Sequence, residues 1–376
     1  MREEEMRPTR FQTLKAQQLG VASKMLRNEL TRRNFIKSCA VAGIAPTLLG
    51  LTGRKGWAEA REIILSNWGG DSGKAQEQVF ALPYTEKTGI PIHVDTSPLE
   101  GRIKAMVDAG NVIWDVMDID NFSAIKLGKE GYLRPIDYSI VNRDTVPGTS
   151  FDHGVAAYVM SYVIAYDKSK FPDGPPQTWA DFWDVERFPG KRALYKWLTG
   201  ALDAALLADG VSKEQVYPID IPRALAKIEQ IKDHLVYWDS GAESQQLLRN
   251  GDVSMACIWS SRAFALEKET EGRITFHWNE AVAYGDTWSV PKDNPAGDLV
   301  WPFIASMQDV DKQIGLLAVN AAGPVTTEAN GQVPNDLRRL NPTDPENWKL
   351  QVLMDAQWWS ENYDDALAAY TDLIAG

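Results

Sequence analysis

The chain has 376 residues, of which 44% are hydrophobic and 10% aromatic, enough to build the buried core of roughly two domains. Its formal net charge is −12, and residues 61–376 alone carry 28 Lys+Arg against 46 Asp+Glu, a balance of −18. This negative charge argues against nucleic acid and anionic membrane surfaces as partners, and it is compatible with cationic ligands or with a role in solubility.

The first 60 residues form a basic segment with the order of an export signal. Residues 31–37 contain two arginines followed by Phe35, an apolar stretch spans 39–51, and residues 58–60 provide a small-x-small cleavage site. This order resembles a twin-arginine signal. The apolar stretch is shorter than the about 20 residues that a membrane span needs. We therefore predict a removable signal at 1–60 and a periplasmic mature chain; the alternative is a retained helical arm.

After residue 60, apolar strand-like runs alternate with amphipathic helical segments. The predicted strands are 63–65, 90–94, 114–120, 157–166, 192–195 and 253–259, and the segment 281–291 follows them without an assignment. The predicted helices are 74–87, 101–108, 122–130, 179–188, 221–234, 242–250, 299–319, 345–363 and 364–374. Such alternation predicts an α/β fold with mostly parallel sheets covered by helices on both faces. A second lobe is expected to begin near residue 167, where the pattern starts afresh.

In parallel sheets of this kind, a ligand lies beyond the carboxyl ends of the strands. Segments 68–72 and 120–123 follow two predicted strands, so Trp68, Asp71, Asp120 and Asn121 are candidate ligand-binding residues. Their side chains provide one aromatic ring, two carboxylates and one amide. We therefore expect a site of mixed aromatic and polar character at this edge.

No converging set of catalytic groups is visible along the sequence. The four histidines are scattered without the short spacing of a metal site, and the chain has neither a phosphate-binding loop nor a G-x-S-x-G motif. We therefore expect no catalytic residues, no metal and no cofactor, and a protein that is not an enzyme. The alternative from a different class is a periplasmic hydrolase or lyase.

Aromatic residues are concentrated at or just past the predicted strand ends. They are Trp68, Tyr195, Trp197, Trp259, Tyr284 and Trp288. A cage of rings that includes a carboxylate is a typical site for an ammonium group, and Asp286 lies between Tyr284 and Trp288. For any single tryptophan the competing interpretation is core packing, and for Asp286 it is a solvated turn beside Gly285.

Several segments resemble the spermidine/putrescine-binding proteins of bacterial ABC transporters. The similar segments, in chain order, are Ile-Leu-Ser-Asn-Trp at 64–68, Trp-Asp-Val-Met-Asp at 114–118, the stretch from Asn250 to Ser260, and Tyr-Gly-Asp-Thr-Trp-Ser-Val-Pro at 284–291. The resemblance implies a type II periplasmic binding protein with its ligand between two lobes, one formed by 61–166 plus 287–328 and the other by 167–286 plus 329–376. It also implies that a monomer delivers the ligand to an ABC permease.

Carried over by position, Trp68 would stack on the ligand, Trp259 and Ser260 would form the opposite wall, and Asp286 would pair with an amine. The sequence departs from the family pattern at Tyr284, which replaces a tryptophan, and at Lys196, where an acidic pair is expected.

A long polyamine would therefore leave one ammonium unpaired, and burying an unpaired charge costs several kcal/mol. We hypothesise a small amine with a neutral or anionic far end, such as an amino-acid-like compound. Asp118 or Asp120 could instead supply the second carboxylate of a polyamine site. The remaining alternatives are a sugar receptor of the same fold and, less favoured, a ferric-ion receptor.

Overall fold

A computed structural model describes residues 62–375, so the export signal predicted at 1–60 lies outside the described residues. The amino-terminal part alternates short strands with helices. Its strands are β1 (Ile63–Asn67), β2 (Ile92–Thr96) and β3 (Val116–Asp120). Its helices are α1 (Gly70–Gln76), which continues through a π-helical segment Glu77–Ala81 into α2 (Leu82–Thr88), then α3 (Glu100–Asp108) and α4 (Asn121–Lys129).

The rest of the chain contains longer strands and a long final helix. The strands are β4 (Val155–Asp167), β5 (Arg192–Tyr195), β6 (Leu235–Trp238), β7 (Met255–Trp259), β8 (Ile274–Phe276), β9 (Val282–Ser289) and β10 (Val352–Leu353). The helices are α5 (Trp179–Trp183), α6 (Ala201–Ala208), α7 (Ile221–Glu229), α8 (Gly241–Asn250), α9 (Ser260–Glu269), α10 (Val300–Ser306), α11 (Val310–Asn320), α12 (Thr327–Gly331), α13 (Pro345–Trp348) and α14 (Ala356–Ala375). Short 3₁₀ turns lie at Lys168–Lys170, Lys213–Gln215, Lys232–His234, Gly297–Leu299 and Arg338–Leu340.

The strands of the described chain form one sheet in the order β2-β1-β3-β9-β4-β7-β5-β6, with β10 beside β9 and β8 beside β4. The outer groups β2-β1-β3 and β7-β5-β6 are parallel, as the strand–helix alternation predicts. The central strands β9 and β4 are antiparallel to each other and to their outer neighbours. The two parallel groups therefore run in opposite directions.

This reversal makes the carboxyl ends of the two parallel groups meet over the middle of β4. Asp120, at the end of β3, pairs with Asp286 of β9, and Asp286 pairs in turn with Tyr158 of β4. Trp259, at the end of β7, pairs with Tyr162 of β4. Only four positions of β4 therefore separate the two strand ends, each of which is followed directly by a helix.

The predicted helix 179–188 is shorter than expected. Helix α5 ends at Trp183 because the guanidinium of the fully buried Arg192 donates to the carbonyls of Phe182, Asp184, Phe188 and Gly190. These bonds hold the chain in a loop where a helix would have used the same carbonyls internally.

Two other helix predictions are wrong in their extent. The predicted helix 299–319 is two helices, and the side chain of Gln313 donates to the carbonyl of Met307 at the break (2.9 Å). The predicted boundary at residue 364 is absent, because α14 runs unbroken through it. The predicted helix 345–363 is interrupted at Val352, which belongs to strand β10. The backbone N–H of Val352 donates to the carbonyl of Ala281 beside β9 (2.8 Å).

Residues 62–375 contain no helix that is both long enough and apolar enough to cross a membrane. Their core is formed mainly by β4, β7 and β9 with the helices on both faces of the sheet, and it includes Cys257. The division into lobes at 61–166 plus 287–328 and at 167–286 plus 329–376 stays a prediction.

Candidate functional site

A cavity of about 280 Å³ lies where the carboxyl ends of β3 and β7 meet over β4. Pockets for drug-sized ligands typically measure about 300–1,000 Å³, so this cavity suits a small molecule. Helices α4 and α9 begin directly after β3 and β7, so their amino-terminal ends open at the cavity. The site is therefore at the strand ends, where the sequence pattern predicts it.

Most of the predicted ligand-binding residues line this cavity. They are Trp68, Asp120, Tyr195, Trp197, Trp259, Tyr284 and Asp286. Five of them come from strand ends and the loops that follow, whereas Tyr284 and Asp286 lie inside β9. The sheet topology brings these distant segments together. Their proximity supports the predicted contact with a ligand, which itself stays a prediction.

Trp288 does not line the cavity, although the sequence predicts it as a ligand-binding residue. Its side chain is fully buried and packs edge-on against Phe80 and Tyr158, with ring centroids 5.8 and 6.3 Å away. Tyr158 lines the cavity and covers Trp288 from that side. The competing interpretation, core packing, accounts for this tryptophan.

Asp71, Asn121 and Ser260 also lie outside the cavity wall. Asp71 forms an exposed ion pair with Lys74 (3.3 Å) and borders a second, neighbouring cavity. Asn121 and Ser260 are the first residues of α4 and α9, and both are buried under the strand ends. A position next to a strand end therefore does not by itself make a residue part of the wall.

One end of the cavity is acidic. Asp286 is 4% exposed and its Oδ1 has no hydrogen-bond partner among the described residues, while Asp120 lies directly across the β3–β9 pair. Burial raises the pKa of Asp120 well above its usual range, and the negative charges of Asp286 and Glu100 raise it further. Burial and the neighbouring Asp118 raise the pKa of Asp286 in the same way. A cation placed here would stabilise carboxylates that now repel one another.

The described residues contain no group of three or more His, Cys, Asp and Glu side chains arranged to hold a metal ion.

Aromatic rings form the walls beside the acidic end. The rings of Tyr162 and Tyr284 are 5.1 Å apart at a tilt of 33°, and the ring of Tyr195 lies 6.2 Å from Tyr162. Trp259 packs edge-on against Tyr195 at 5.5 Å. Flat faces of this kind enclose a methylene chain and attract an ammonium group. Together they form an aromatic channel that leads away from Asp286.

The wall of the cavity also contains Arg262, the third residue of α9. Its side chain lines the cavity and is nearly buried, and its Nε–H has no acceptor among residues 62–375. Burial lowers the pKa of Arg262, and the charge of Asp71 partly offsets this. A guanidinium can bind a carboxylate through two parallel hydrogen bonds, and the amino-terminal end of a helix adds further N–H donors.

Two glycines lie against the Arg262 guanidinium, and the absence of a side chain at these positions makes room for it. A Cβ atom at Gly241 would lie 2.4 Å from Nε, and one at Gly70 would lie 3.4 Å from a terminal nitrogen. The backbone of α8 and the turn after β1 therefore hold the arginine in place. This close packing limits the orientations that the guanidinium can take.

Sequence reasoning missed several residues of the wall. Tyr158, Met160 and Tyr162 alternate on one face of β4, and Tyr363 comes from the final helix. The alternation of Tyr, Met and Tyr at every second position is a signal that could have separated one face of β4 from the core. The signal that could have identified Arg262 as a wall residue is its position: it is a charged residue in the first helical turn after a strand that ends in tryptophan.

Lys196 and Trp197, which replace the expected acidic pair, lie at the rim. Both bind Asp239: Lys196 Nζ lies 3.3 Å and Trp197 Nε1 2.6 Å from its carboxylate oxygens. The positive charge of Lys196 is therefore already paired. Trp197 is 40% exposed, so its ring covers the cavity entrance and does not form the floor.

We expect the substitution Trp197→Ala to weaken ligand binding by less than about tenfold, because exposed rim contacts contribute little to affinity. Isothermal titration calorimetry on the variant measures this directly. Trp259→Ala is the comparison, since that ring is only partly exposed and packs within the aromatic channel, and it should cost more. Equal losses for the two variants would contradict the assignment of Trp197 to the rim.

Comparisons with known proteins agree with this architecture. Over 316 residues the chain is 33% identical to the gamma-aminobutyric acid (GABA)-binding protein of Pseudomonas aeruginosa, covering 82% of this chain and 89% of that protein. The solved structure of a GABA receptor has 30% identity and a TM-score of 0.77, over 83% of this chain and 97% of the receptor. The spermidine/putrescine-binding periplasmic protein 1 of Haemophilus influenzae is more distant, at 20% identity over 76% of this chain and 81% of that protein.

These similarities confirm the predicted periplasmic binding protein fold. The resemblance to polyamine-binding proteins is confirmed as a distant relationship. Residues 80–337, more than half of the chain, match the family described as bacterial extracellular solute-binding protein. The chain belongs to this family of extracellular solute-binding proteins.

Proposed function

We propose that this protein binds an ω-amino acid of the GABA type and delivers it to an ABC permease. The observation that carries the proposal is the presence of both acidic and basic side chains in the wall of one small cavity. We infer that Asp286 and Asp120 form one end of the ligand site and that Arg262 forms the other. The relatives that bind GABA support the same ligand class.

A zwitterion satisfies both ends, whereas the alternative ligands satisfy at most one. Buried charges are costly unless each has a partner, so the ammonium would pair with Asp286 and the carboxylate with Arg262. A diamine would bring its second ammonium against Arg262. A sugar would leave the carboxylates and the guanidinium without an opposite charge.

Two tyrosines of the wall favour an ω-amino acid over an α-amino acid. The hydroxyls of Tyr158 and Tyr284 interact electrostatically with both ends. We infer that these tyrosines line the path of the methylene groups, which an α-amino acid lacks between its charges.

Thermal stabilisation by a matched set of compounds tests the proposal. GABA and 5-aminovalerate should stabilise the protein, by about 2.7 kcal/mol at 100 times the dissociation constant. Putrescine lacks the carboxylate, butyrate lacks the amine, and glycine lacks the spacing, so each should bind at least about 100-fold more weakly. Stabilisation by putrescine equal to that by GABA, or by glucose alone, would contradict the ligand assignment.

The proposal includes a receptor that does not alter its ligand and that works as a periplasmic monomer after loss of 1–60. The two predicted lobes would close over the ligand before the complex docks on the permease. GABA recovered after prolonged incubation with the protein should be chemically unchanged. Conversion to a new compound would favour the hydrolase or lyase alternative instead.

A further inference from the structure

Asp118 lies behind the cavity wall and is not needed for the binding scheme above. It is fully buried on β3, and its Oδ2 accepts hydrogen bonds from Gln76 Nε2 and from the Tyr158 hydroxyl, each at 2.7 Å. Its Oδ1 has no partner among the described residues. Asp118 does not line the cavity, whereas Tyr158, which it binds, does. The carboxyl group is therefore connected to the site through one tyrosine.

Asp286 is the other neighbour of this tyrosine. The two residues face each other across the β4–β9 pair, and the Tyr158 hydroxyl interacts with both Asp118 and Asp286. The single hydroxyl hydrogen of Tyr158 is donated to Asp118. Asp286 can therefore form a hydrogen bond with the same hydroxyl only as a donor, which requires a proton on its own carboxyl group.

The surroundings contribute more negative than positive charge. The charged and titratable groups that face this pair, directly or through one neighbour, are Asp120, Glu100, Tyr158, Tyr195, Tyr284 and Arg262. Arg262 is the cation of this set, and its charge acts on the hydroxyls of Tyr158 and Tyr284. The carboxyl groups of Asp118, Asp120 and Asp286 repel one another in this region, so they cannot all be ionised.

We propose that Asp118 is a positioning residue, which acts through Tyr158 to keep a proton on Asp286 in the empty site, and that the ligand's ammonium displaces this proton. The inference rests on the proposed function in that it assumes an amine ligand. The ammonium keeps its own three protons, the carboxyl of Asp286 becomes a carboxylate, and its proton passes to solvent. Ligand capture is therefore coupled to the release of about one proton.

The pKa directions agree with this geometry. Burial raises the pKa of Asp118 to about 7, although the hydrogen bonds from Gln76 and Tyr158 oppose the shift. Burial, followed by the charge of Asp118, raises the pKa of Asp286 well above its usual range, although a hydrogen bond from Tyr158 would oppose the shift. Donation of the Tyr158 hydrogen to Asp118 withholds this opposing bond from Asp286. Affinity for an amine should therefore increase with pH while the proton is being displaced, and become constant once Asp286 is ionised without ligand.

Calorimetric titration with GABA in buffers of different ionisation enthalpy tests the proposal. The wild-type protein should release about one proton per ligand near pH 7. In Asp118→Asn, the pH of half-maximal affinity should move down by about 1 to 3 units, because a like charge beside Asp286 has been removed. Binding without proton release in the wild-type protein, or an unmoved pH profile in Asp118→Asn, would overturn the proposal.

Asp203 provides a matched control. It is fully buried, accepts a hydrogen bond from the Tyr217 hydroxyl at 2.5 Å, and has a pKa raised to about 6 by burial, but it does not line the cavity. Asp203→Asn should leave the pH profile of GABA affinity unmoved. A shift in this variant equal to that of Asp118→Asn would show that any buried carboxyl group produces the effect, and would overturn the specific role of Asp118.

Infrared spectroscopy of the unliganded wild-type protein gives a readout that needs neither the variant nor the ligand. A protonated buried carboxyl group absorbs in the acid carbonyl region, and this band should persist at neutral pH. Its absence would overturn the proposal even if GABA binds. The band should be lost or reduced in Asp286→Asn, which assigns it to this carboxyl group. If GABA fails to bind but the band is present and assigned in this way, the proposed ligand is wrong and the proton-holding pair stands.

Discussion

Replacing Arg262 with methionine should abolish tight binding of ω-amino acids. The variant keeps an unbranched apolar side chain close to the aliphatic part of arginine, but it leaves the carboxylate of the proposed ligand buried without its partner. Losing one member of a buried charge pair costs about 2–5 kcal/mol, which corresponds to a weakening of roughly 30-fold to several thousand-fold. Isothermal titration calorimetry with GABA measures the loss directly. The variant should also lose its discrimination against butylamine, which has no carboxylate to be recognised.

Lys268→Met is the matched control for Arg262→Met. Lys268 lies on the same helix, α9, and removing it changes the net charge by the same amount, but its side chain is exposed and borders only the neighbouring cavity. Its affinity for GABA should stay within a few-fold of the wild-type value. Comparable losses in the two variants would mean that overall charge, and not a specific contact with Arg262, determines binding.

Replacing Asp286 with asparagine should weaken amine binding by about 3–5 kcal/mol, because a buried ammonium loses its counter-ion while the shape of the site is kept. The same substitution should stabilise the empty protein. The pKa of Asp286 is raised in the folded state, so ionising its carboxyl group lowers the free energy of unfolding. The stability that the protonated group allows is fully present below its pKa in the unfolded chain, and it is lost as the pH rises through its pKa in the folded protein. Asparagine has no such cost.

Two measurements on Asp286→Asn separate these effects. Calorimetry gives the loss of affinity, and thermal unfolding without ligand near pH 8 gives the gain in stability, which should shrink on acidification as the wild-type carboxyl becomes protonated. Asp239→Asn is the control, since Asp239 is exposed at the rim and its pKa is lowered by Trp197 and Lys196. A variant at Asp286 that binds poorly and is also less stable would indicate misfolding.

Part of the aromatic wall could be predicted from the sequence because it lies at strand ends. Trp68 and Trp259 are next to apolar runs whose limits are visible in the sequence, and strand ends in an α/β fold meet at a common edge. Asp286 and Trp288 both lie inside β9, yet Asp286 lines the cavity and Trp288 lies in the core. A position near a strand end predicts that a residue lies at the edge of the sheet. Whether its side chain faces the cavity or the core depends on packing.

The basic end of the site could not be predicted in the same way. Arg262 lies in the first turn of a helix, where an arginine is usually solvated, and its burial depends on the backbones of Gly70 and Gly241. Tyr158 and Tyr162 belong to a thirteen-residue strand that is buried along its whole length, so no exposed stretch distinguishes the cavity face. Both features follow from contacts between segments that are distant in the chain.

The sequence by itself determined the α/β class, most strand positions, the membership of a binding-protein family and the expectation of one ammonium with a different far end. These depend on local periodicity, on turn residues and on short collinear motifs, all of which are visible in the order of residues along the chain. Only the tertiary structure decided which charged side chains share a cavity with Asp286. The antiparallel pair β4–β9 reverses one group of strands against the other, and this reversal brings Arg262 and Asp286 into the wall of one cavity.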